Sequence, residues 1–353
     1  MGAATLKCCT IVGARPQFIK AAPLSRVLTQ SGQIKECLIH TGQHFDERMS
    51  SIFFEELRLP RPSYELGIHG GTHAQMLGRM MVALEEVLKV ERPDIVLVYG
   101  DTNSTLAGAL VAGQLGISLA HAEAGLRSFN RAMPEERNRV LTDHLSARLF
   151  CPTRRAVEWL AAEGITKGVS LSGDLMYDSV LQSERLSRAE LEATLPLPEG
   201  PFELLTLHRA ESCDEPEEFL KRLRWLQQAR RYPILWPIHP RARQRLSSLE
   251  NPPNLKGVTF IEPLGYRATL SLLAHAERLF TDSGGMQKEA FFLETPCVTL
   301  RSETEWPETI EAGWNQLWSP DEPTRPLPSE RRAPGDYFGA GDAAEKILEG
   351  LLK

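Results

Sequence analysis

The chain has 353 residues, 42% of them hydrophobic and 24% charged, with a formal net charge of −6. That length fits about two domains of ~150 residues each, and the acidic balance argues against general nucleic-acid binding, which wants a basic face. No stretch approaches the ~20 apolar residues of a membrane span, and the start shows no signal-peptide pattern, so a cytoplasmic protein is expected.

In chain order, short β-rich apolar runs alternate with helical patterns. The first half carries runs at Cys8–Val12, Ile34–His40, Ile95–Tyr99, Ser118–Ala122 and Leu149–Cys151. Helices are predicted between them near Pro16–Gln30, Phe45–Leu57, Ala74–Val90, Ser104–Leu115, Glu135–Leu145 and Ala156–Glu163. The second half repeats the scheme with Glu203–Leu207, Ile234–Ile238, Val258–Ile261, Arg278–Thr281 and Cys297–Leu300. Such alternation means parallel sheets covered on both faces. The expected fold class is therefore α/β, with two doubly wound Rossmann-like domains facing each other across a cleft. Residues 1–172 form the first and 173–338 the second, with Leu186–Gly200 a surface connection. A proline-rich stretch, Pro320–Pro334, precedes a final helix at Asp342–Leu351, and 339–353 is expected to pack back on the first domain.

Three acidic residues follow strands or a tight turn in the first half. They are Asp101 in Gly100-Asp101-Thr102, Glu123 in Glu123-Ala124-Gly125-Leu126-Arg127, and Glu135 in Pro134-Glu135-Glu136. A carboxylate past the carboxyl end of a parallel strand points to where open α/β sheets bind ligands. Three of them, with arginines interleaved, point to acid/base chemistry rather than to helix capping alone. Gly13-Ala14-Arg15-Pro16 ends the first strand and opens a helix; its backbone N–H groups and Arg15 are suited to phosphate, with Lys20 close behind. As a bland alternative it is only a strand–helix turn. Neither a dinucleotide GxGxxG nor a Walker A sequence occurs in that place, and Gly339-Ala340-Gly341-Asp342 reads as a helix start.

Thr281-Asp282-Ser283-Gly284-Gly285 is a strand, a turn and a helix N-terminus. The glycines admit close backbone approach, and the helix end presents about half a positive charge. Glu289, one turn on, is placed for the two hydroxyls of a ribose. His208, ending the first strand of the second domain, can donate to phosphate or move a proton near neutral pH. His239 occupies the equivalent place one strand later, and Gln43-His44 does so in the first domain. The six cysteines show no CxxC, the HxxxH pairs lack an HExxH context, and no GxSxG elbow exists. No metal and no cofactor are expected.

With these motifs together, the chain resembles the UDP-N-acetylglucosamine 2-epimerase family, of GT-B architecture, over nearly its whole length, from Gly13-Ala14-Arg15-Pro16 to Glu311-Ala312-Gly313-Trp314-Asn315. The resemblance implies elimination of UDP to 2-acetamidoglucal and its re-addition after reprotonation of C2 from the other face. By the matching positions it implies Asp101, Glu123, Glu135 and His208 as the catalytic set. It implies Arg15, Lys20, Ser283, Gly284, Gly285, Glu289 and Arg301 as UDP-binding residues. A UDP-sugar substrate is expected, also as allosteric activator at a second site formed by Gln43, His44, Arg209 and His239, in a homodimer. Two departures stand out: Gln17 where many members carry Glu, and Trp306 in Thr304-Glu305-Trp306-Pro307 where better-known members place an arginine. Trp306 resembles the branch that includes UDP-2,3-diacetamido-2,3-dideoxyglucuronate 2-epimerases. A hydrolysing 2-epimerase, a GT-B glycosyltransferase and a nucleotide-sugar sensor are the remaining alternatives.

Overall fold

The computed structural model describes residues 5–43, 54–249, 252–322 and 326–353. The chain divides into two units, Met1–Gln182 with Tyr337–Lys353, and Ser183–Asp336.

The first unit is built on a seven-stranded parallel sheet of order β3-β2-β1-β4-β5-β6-β7. Its strands are β1 (Leu6–Val12), β2 (Ile34–His40), β3 (Tyr64–Glu65), β4 (Ile95–Tyr99), β5 (Ser118–Ala122), β6 (Arg148–Cys151) and β7 (Val169–Leu171). The β4 run Ile95-Val96-Leu97-Val98-Tyr99 is buried at every position, as expected of a central parallel strand covered on both faces. On one face, Cys9, Ile11, Val96 and Val98 pack with Met80, Leu84 and Leu88 of the His73–Glu91 helix and Ala107 and Val111 of the Asn103–Leu115 helix. The stretch expected as a helix from Phe45 begins outside the described residues, which resume in a short helical segment at Phe54.

The second unit has a six-stranded parallel sheet of order β10-β9-β8-β11-β12-β13. Its strands are β8 (Glu203–Thr206), β9 (Ile234–Pro237), β10 (Val258–Ile261), β11 (Arg278–Thr281), β12 (Cys297–Thr299) and β13 (Asn315–Leu317). Leu205, Trp236, Phe280 and Val298 of the sheet pack with Phe219, Leu223 and Leu226 of the Pro216–Ala229 helix. Both sheets follow the doubly wound order, which reverses between β1 and β4 and between β8 and β11. Loops at such reversals are where α/β sheets bind ligands. The fold is thus two Rossmann-like units, the pair that defines GT-B architecture.

The division differs from the expected boundaries at 172 and 338. The Leu175–Gln182 helix belongs to the first unit, with Ser179 Oγ donating to the Ile19 carbonyl at 2.5 Å. The terminal helix Ala343–Leu352 also lies in that unit, burying Ala343, Ala344, Ile347 and Leu351. Asp178 accepts from the Ala343 and Ala344 N–H groups at 3.3 and 2.8 Å, caring for orphan donors at the helix start. The Leu186–Gly200 connection is more than a surface loop: it contains the helix Arg188–Glu192, whose Leu191 is fully buried among Phe202, Leu204 and Leu272. All six cysteines are free and buried.

Candidate functional site

In the first unit, the expected residues lie on the loops after β1, β4 and β5 and on the helices Arg15–Ser31 and Pro134–Leu145, where Asp101 pairs with Arg139 and Glu123 with Lys20. The β1 turn is close-packed: a Cβ on Gly13 would lie 2.1 Å from Ser104 Oγ and from Thr41 Oγ1. The Gly13 and Ala14 N–H groups, expected to face an anion, are instead donated to Gln17 Oε1 at 2.8 and 3.1 Å. Gln17 Nε2 donates in turn to the Tyr99 carbonyl and to Thr105 Oγ1, at 2.9 and 3.0 Å. A buried amide with both donors and acceptors used locks this turn to the end of β4. Arg15 is the first residue of the helix Arg15–Ser31 and half-buried.

Asp101 follows the Gly100 turn. Its Oδ2 accepts from Arg139 Nε at 3.1 Å and from Arg139 Nη2, while Asn138 Nδ2 donates to its carbonyl at 2.9 Å. Arg139 also bonds Glu136 Oε2 at 2.9 Å, and Glu136 accepts from the Ser128 and Phe129 N–H groups. Glu136 is therefore a loop-holding residue. Its neighbour Glu135 lies half-buried in the first turn of the same helix, where a carboxylate suits the helix end. The partnership of Asp101 with Arg139 was missed from sequence; the i, i+3 spacing of Glu136 and Arg139 on one helix face was the available signal.

Glu123 takes a left-handed backbone with φ of 66°, a conformation that non-glycine residues adopt at a cost and often at functional sites. Its Oε1 lies 2.5 Å from Lys20 Nζ, both side chains nearly buried. Lys20, expected in the UDP set, is thus the counter-charge of Glu123. Gly125 must be glycine twice over: φ is 81°, and a Cβ would stand 2.6 Å from the Ala156 carbonyl oxygen.

In the second unit, His208 and the Ser283–Gly285 turn lie at the β8/β11 reversal. His208 Nδ1 is 3.0 Å from Asp282 Oδ1, and Asp282 Oδ2 accepts from the His208 and Arg209 N–H groups at 3.0 and 2.9 Å. Burial pushes the Asp282 carboxyl up, but the His208 ring and those two N–H groups outweigh it and hold it at about 2. Asp282 thus engages the Nδ1 edge of the His208 ring, which is half-exposed. Nothing in the local sequence signals the pairing of Asp282 with His208, which are 74 residues apart. Ser283 caps the helix Gly284–Phe292, its Oγ accepting from Met286 N–H at 3.4 Å. Gly284 and Gly285 open that helix, and Glu289 is buried within it.

Arg301 is engaged by Glu305 through two bonds of 3.0 and 3.1 Å and is nearly buried. Trp306 lies under Lys288, whose Nζ is 3.8 Å from the ring centroid. A Cβ on Gly284 would be 3.6 Å from Arg209 Nη2, 3.7 Å from Glu305 Oε2 and 3.9 Å from Trp306 Nε1. Glu305 and Trp306 therefore border the helix end, with Arg301 held behind Glu305. Of the proposed second-site residues, Gln43 Oε1 accepts from Ser104 N–H and Oγ at 3.0 and 2.7 Å. His239 Nδ1 accepts from Arg241 N–H at 3.2 Å, and its ring centroid is 5.8 Å from that of His208. His44 lies outside the described residues. Among the described residues, no group of three or more His, Cys, Asp or Glu side chains is placed to hold a metal ion, and no helix is long and apolar enough to cross a membrane.

A sequence profile described as UDP-N-acetylglucosamine 2-epimerase matches residues 26–352. The chain is 46% identical over 360 residues to UDP-2,3-diacetamido-2,3-dideoxy-D-glucuronate 2-epimerase of Pseudomonas aeruginosa, covering 99% of this chain and 100% of that one. It is 42% identical over 361 residues to UDP-N-acetylglucosamine 2-epimerase of Methanocaldococcus jannaschii, covering 97% and 98%. The crystal structure of a Methanocaldococcus jannaschii UDP-GlcNAc 2-epimerase in complex with UDP-GlcNAc and UDP aligns with a TM-score of 0.86 at 40% identity, covering 98% of this chain and 99% of that one.

Proposed function

Because the chain belongs to the UDP-N-acetylglucosamine 2-epimerase family and is therefore an isomerase, we propose that it inverts C2 of a UDP-2-acetamido sugar, converting UDP-N-acetylglucosamine to UDP-N-acetylmannosamine without hydrolysis. The observation that carries this reading is the ion-paired carboxylate network of the first unit, Asp101 on Arg139 and Glu123 on Lys20. Removal and return of one proton on opposite faces of C2 need two differently placed groups, and the chain has three carboxylates on three segments. In the forward step the C1–O bond breaks with its electron pair leaving on UDP, and the C2 proton passes to a carboxylate, giving 2-acetamidoglucal. In the return step C2 takes a proton from the other face and UDP adds back at C1.

The C2 proton is only weakly acidic, so departure of UDP leads and positive charge grows at C1. Carboxylates stabilise that charge; His208, Arg15 and the Ser283–Gly285 helix end stabilise the growing diphosphate charge. Lys20 offsets the ionised Glu123, and Glu289 binds the ribose hydroxyls. Gln43, His44, Arg209 and His239 form the second UDP-sugar site, and the enzyme works as a cytoplasmic homodimer. A strictly hyperbolic, lag-free rate curve would count against the second site.

A second reading, epimerisation of UDP-2,3-diacetamido-2,3-dideoxyglucuronate, is favoured by the 46% identity to the Pseudomonas aeruginosa enzyme of that name and by Trp306 beside Glu305 at the helix end. Proton NMR in deuterated water with each UDP-sugar tests both. Conversion of UDP-N-acetylglucosamine with deuterium at C2 supports the first; turnover of the uronate alone replaces it with the second. Release of the free sugar would assign the hydrolysing chemistry instead.

A further inference from the structure

His121 lies in β5, fully buried beneath the Asp101 and Glu123 loops, and has no part in the chemistry above. Its Nε2 is 2.7 Å from the Gly100 carbonyl oxygen, and its Nδ1 is 2.7 Å from Asp143 Oδ1. A carbonyl can only accept. Asp143 also accepts, from Arg127 Nη1 at 2.7 Å and from Gly125 N–H at 3.2 Å. Burial pushes the Asp143 carboxyl up, yet His121 and Arg127 outweigh it and hold it below the ordinary range. Both ring nitrogens therefore face acceptors, and only the imidazolium form of histidine can donate to two acceptors at once.

Arg127 is also gripped by Glu163 through two bonds of 2.6 and 2.7 Å, and Glu163, an exposed residue, lies 3.4 Å from His144 Nε2. The fully buried part of the cluster is the Asp143 carboxylate with His121 and Arg127 donating to it, and burying that carboxylate without its donors would be costly.

Resting on the catalytic reading of Asp101, we propose that His121 is the positioning residue of the site, a buried double donor that ties the Gly100–Asp101 turn to the helix carrying Glu135. Its bond to Gly100 holds the peptide immediately before Asp101. Its bond to Asp143, which also holds Gly125 N–H, links that turn to the Glu123 loop and to the Pro134–Leu145 helix. Three segments that must keep their carboxylates in register around one carbon thereby share one buried anchor. Displacement of a catalytic group by about 1 Å is enough to cost on the order of 10²-fold in rate.

The test combines kinetics with a spectroscopic signature, on the full chain. His121→Phe keeps the ring volume and removes both donors; kcat for the UDP-sugar is expected to fall roughly 30- to 100-fold, with KM and the UDP dissociation constant within about threefold. Asp143→Asn leaves a neutral His121 that still donates from Nε2 to Gly100, and its kcat is expected to lie between wild type and His121→Phe. In an Asp101→Asn background, His121→Phe is expected to cost little more, because both changes act through one carboxylate. Nitrogen-15 NMR of histidine-labelled protein, assigned with His121→Gln, is expected to show both His121 nitrogens protonated near neutral pH. A neutral tautomer there, or undiminished kcat in His121→Phe, overturns the proposal. Wild-type protein inactive on every UDP-2-acetamido sugar overturns the catalytic reading instead, and leaves the NMR result to judge the double donor alone. If His121→Phe does not fold, Asp143→Asn and the NMR signature still decide.

Discussion

Glu123 stands in left-handed backbone conformation with Lys20 against its carboxylate, and Asp101 stands against Arg139. Both are held where they are by partners rather than by rotamer preference alone. Asp101→Asn or Glu123→Gln is expected to lower turnover by roughly 10²-fold or more, the scale of a positioned acid/base group. Calorimetric binding of UDP should stay within a few-fold, and near-normal turnover in either variant would remove that residue from the catalytic set. Gln17→Glu tests the β1 turn. A carboxylate can take the Gly13 and Ala14 bonds, but its other oxygen would face the Tyr99 carbonyl. A loss of about 1–3 kcal/mol by urea unfolding is expected near pH 8, where the carboxylate leaves that contact unmade. The loss should shrink in acid, because a carboxyl whose folded pKa is raised adds stability at low pH that disappears as pH rises. Asp282 has the opposite sign. Held at about 2, below its unfolded value, it contributes stability that is present above about pH 4 and lost as pH falls toward 2. Asp282→Asn should therefore cost about 2 kcal/mol at pH 6, measured against wild type, and the gap should close in strong acid. A constant gap from pH 2 to 6 would deny Asp282 its charge.

The Pro134–Leu145 helix does more than carry Glu135. Asn138 and Arg139 grip the Asp101 turn, Glu136 holds the Ser128–Phe129 loop, and Asp143 takes Gly125 and Arg127. One element thus organises the loops after two strands, which is why so many of its polar residues are buried. The terminal Ala343–Leu352 helix is anchored by a different carboxylate. Burial pushes Asp178 up to about 6, against the partial relief of the Ala344 and Ala343 N–H bonds. A raised carboxyl pKa means that the ionised form is disfavoured in the fold. The protein gains stability from this group as pH falls from about 6 toward 4, and loses it again as pH rises. Asp178→Asn, which keeps an accepting oxygen, should flatten that part of the pH–stability profile. The wild-type-minus-variant difference is expected to change by up to about 3 kcal/mol between pH 7 and pH 4. An unchanged difference over that range would show that Asp178 is not held in the raised state.

At the scale of the molecule, the chain enters the second unit after Gln182 and leaves it at Asp336, so the first unit is completed by the last residues of the sequence. Gly350 sits so close to Phe150 that a Cβ would lie 2.4 Å from its ring, and Arg148 Nη1 bonds the Leu351 carbonyl at 3.1 Å. Ending the chain at Asp336 should therefore strip cover from β6 and lower the unfolding midpoint of the first unit. The second unit, whose residues 183–336 are retained, should unfold as before. Tryptophan fluorescence separates the two, since Trp159 lies in the first unit and Trp225, Trp236, Trp306, Trp314 and Trp318 in the second. A truncated chain with both transitions unchanged would show that the terminal helix contributes nothing to the first unit.

The sequence by itself determined the architecture, because a central parallel strand covered on both faces is a near-continuous apolar run, as Ile95–Tyr99 is, and such runs alternate with helical patterns along the chain. It also placed Asp101, Glu123, His208 and the Ser-Gly-Gly turn just past strand ends, and the structure has them there. The short strands β3, β7 and β13 escaped, at two or three residues apiece too brief to show a period. Only the tertiary structure decided the partners: Arg139 for Asp101, Lys20 for Glu123, Asp282 for His208, Gln17 for the N–H groups of the β1 turn, and His121 for the Gly100 carbonyl. These pairings join residues that are mostly tens of positions apart, brought together by strand order rather than by local pattern. An ion pair or a buried double donor is a property of two or three chain segments at once, and no single segment carries its signature.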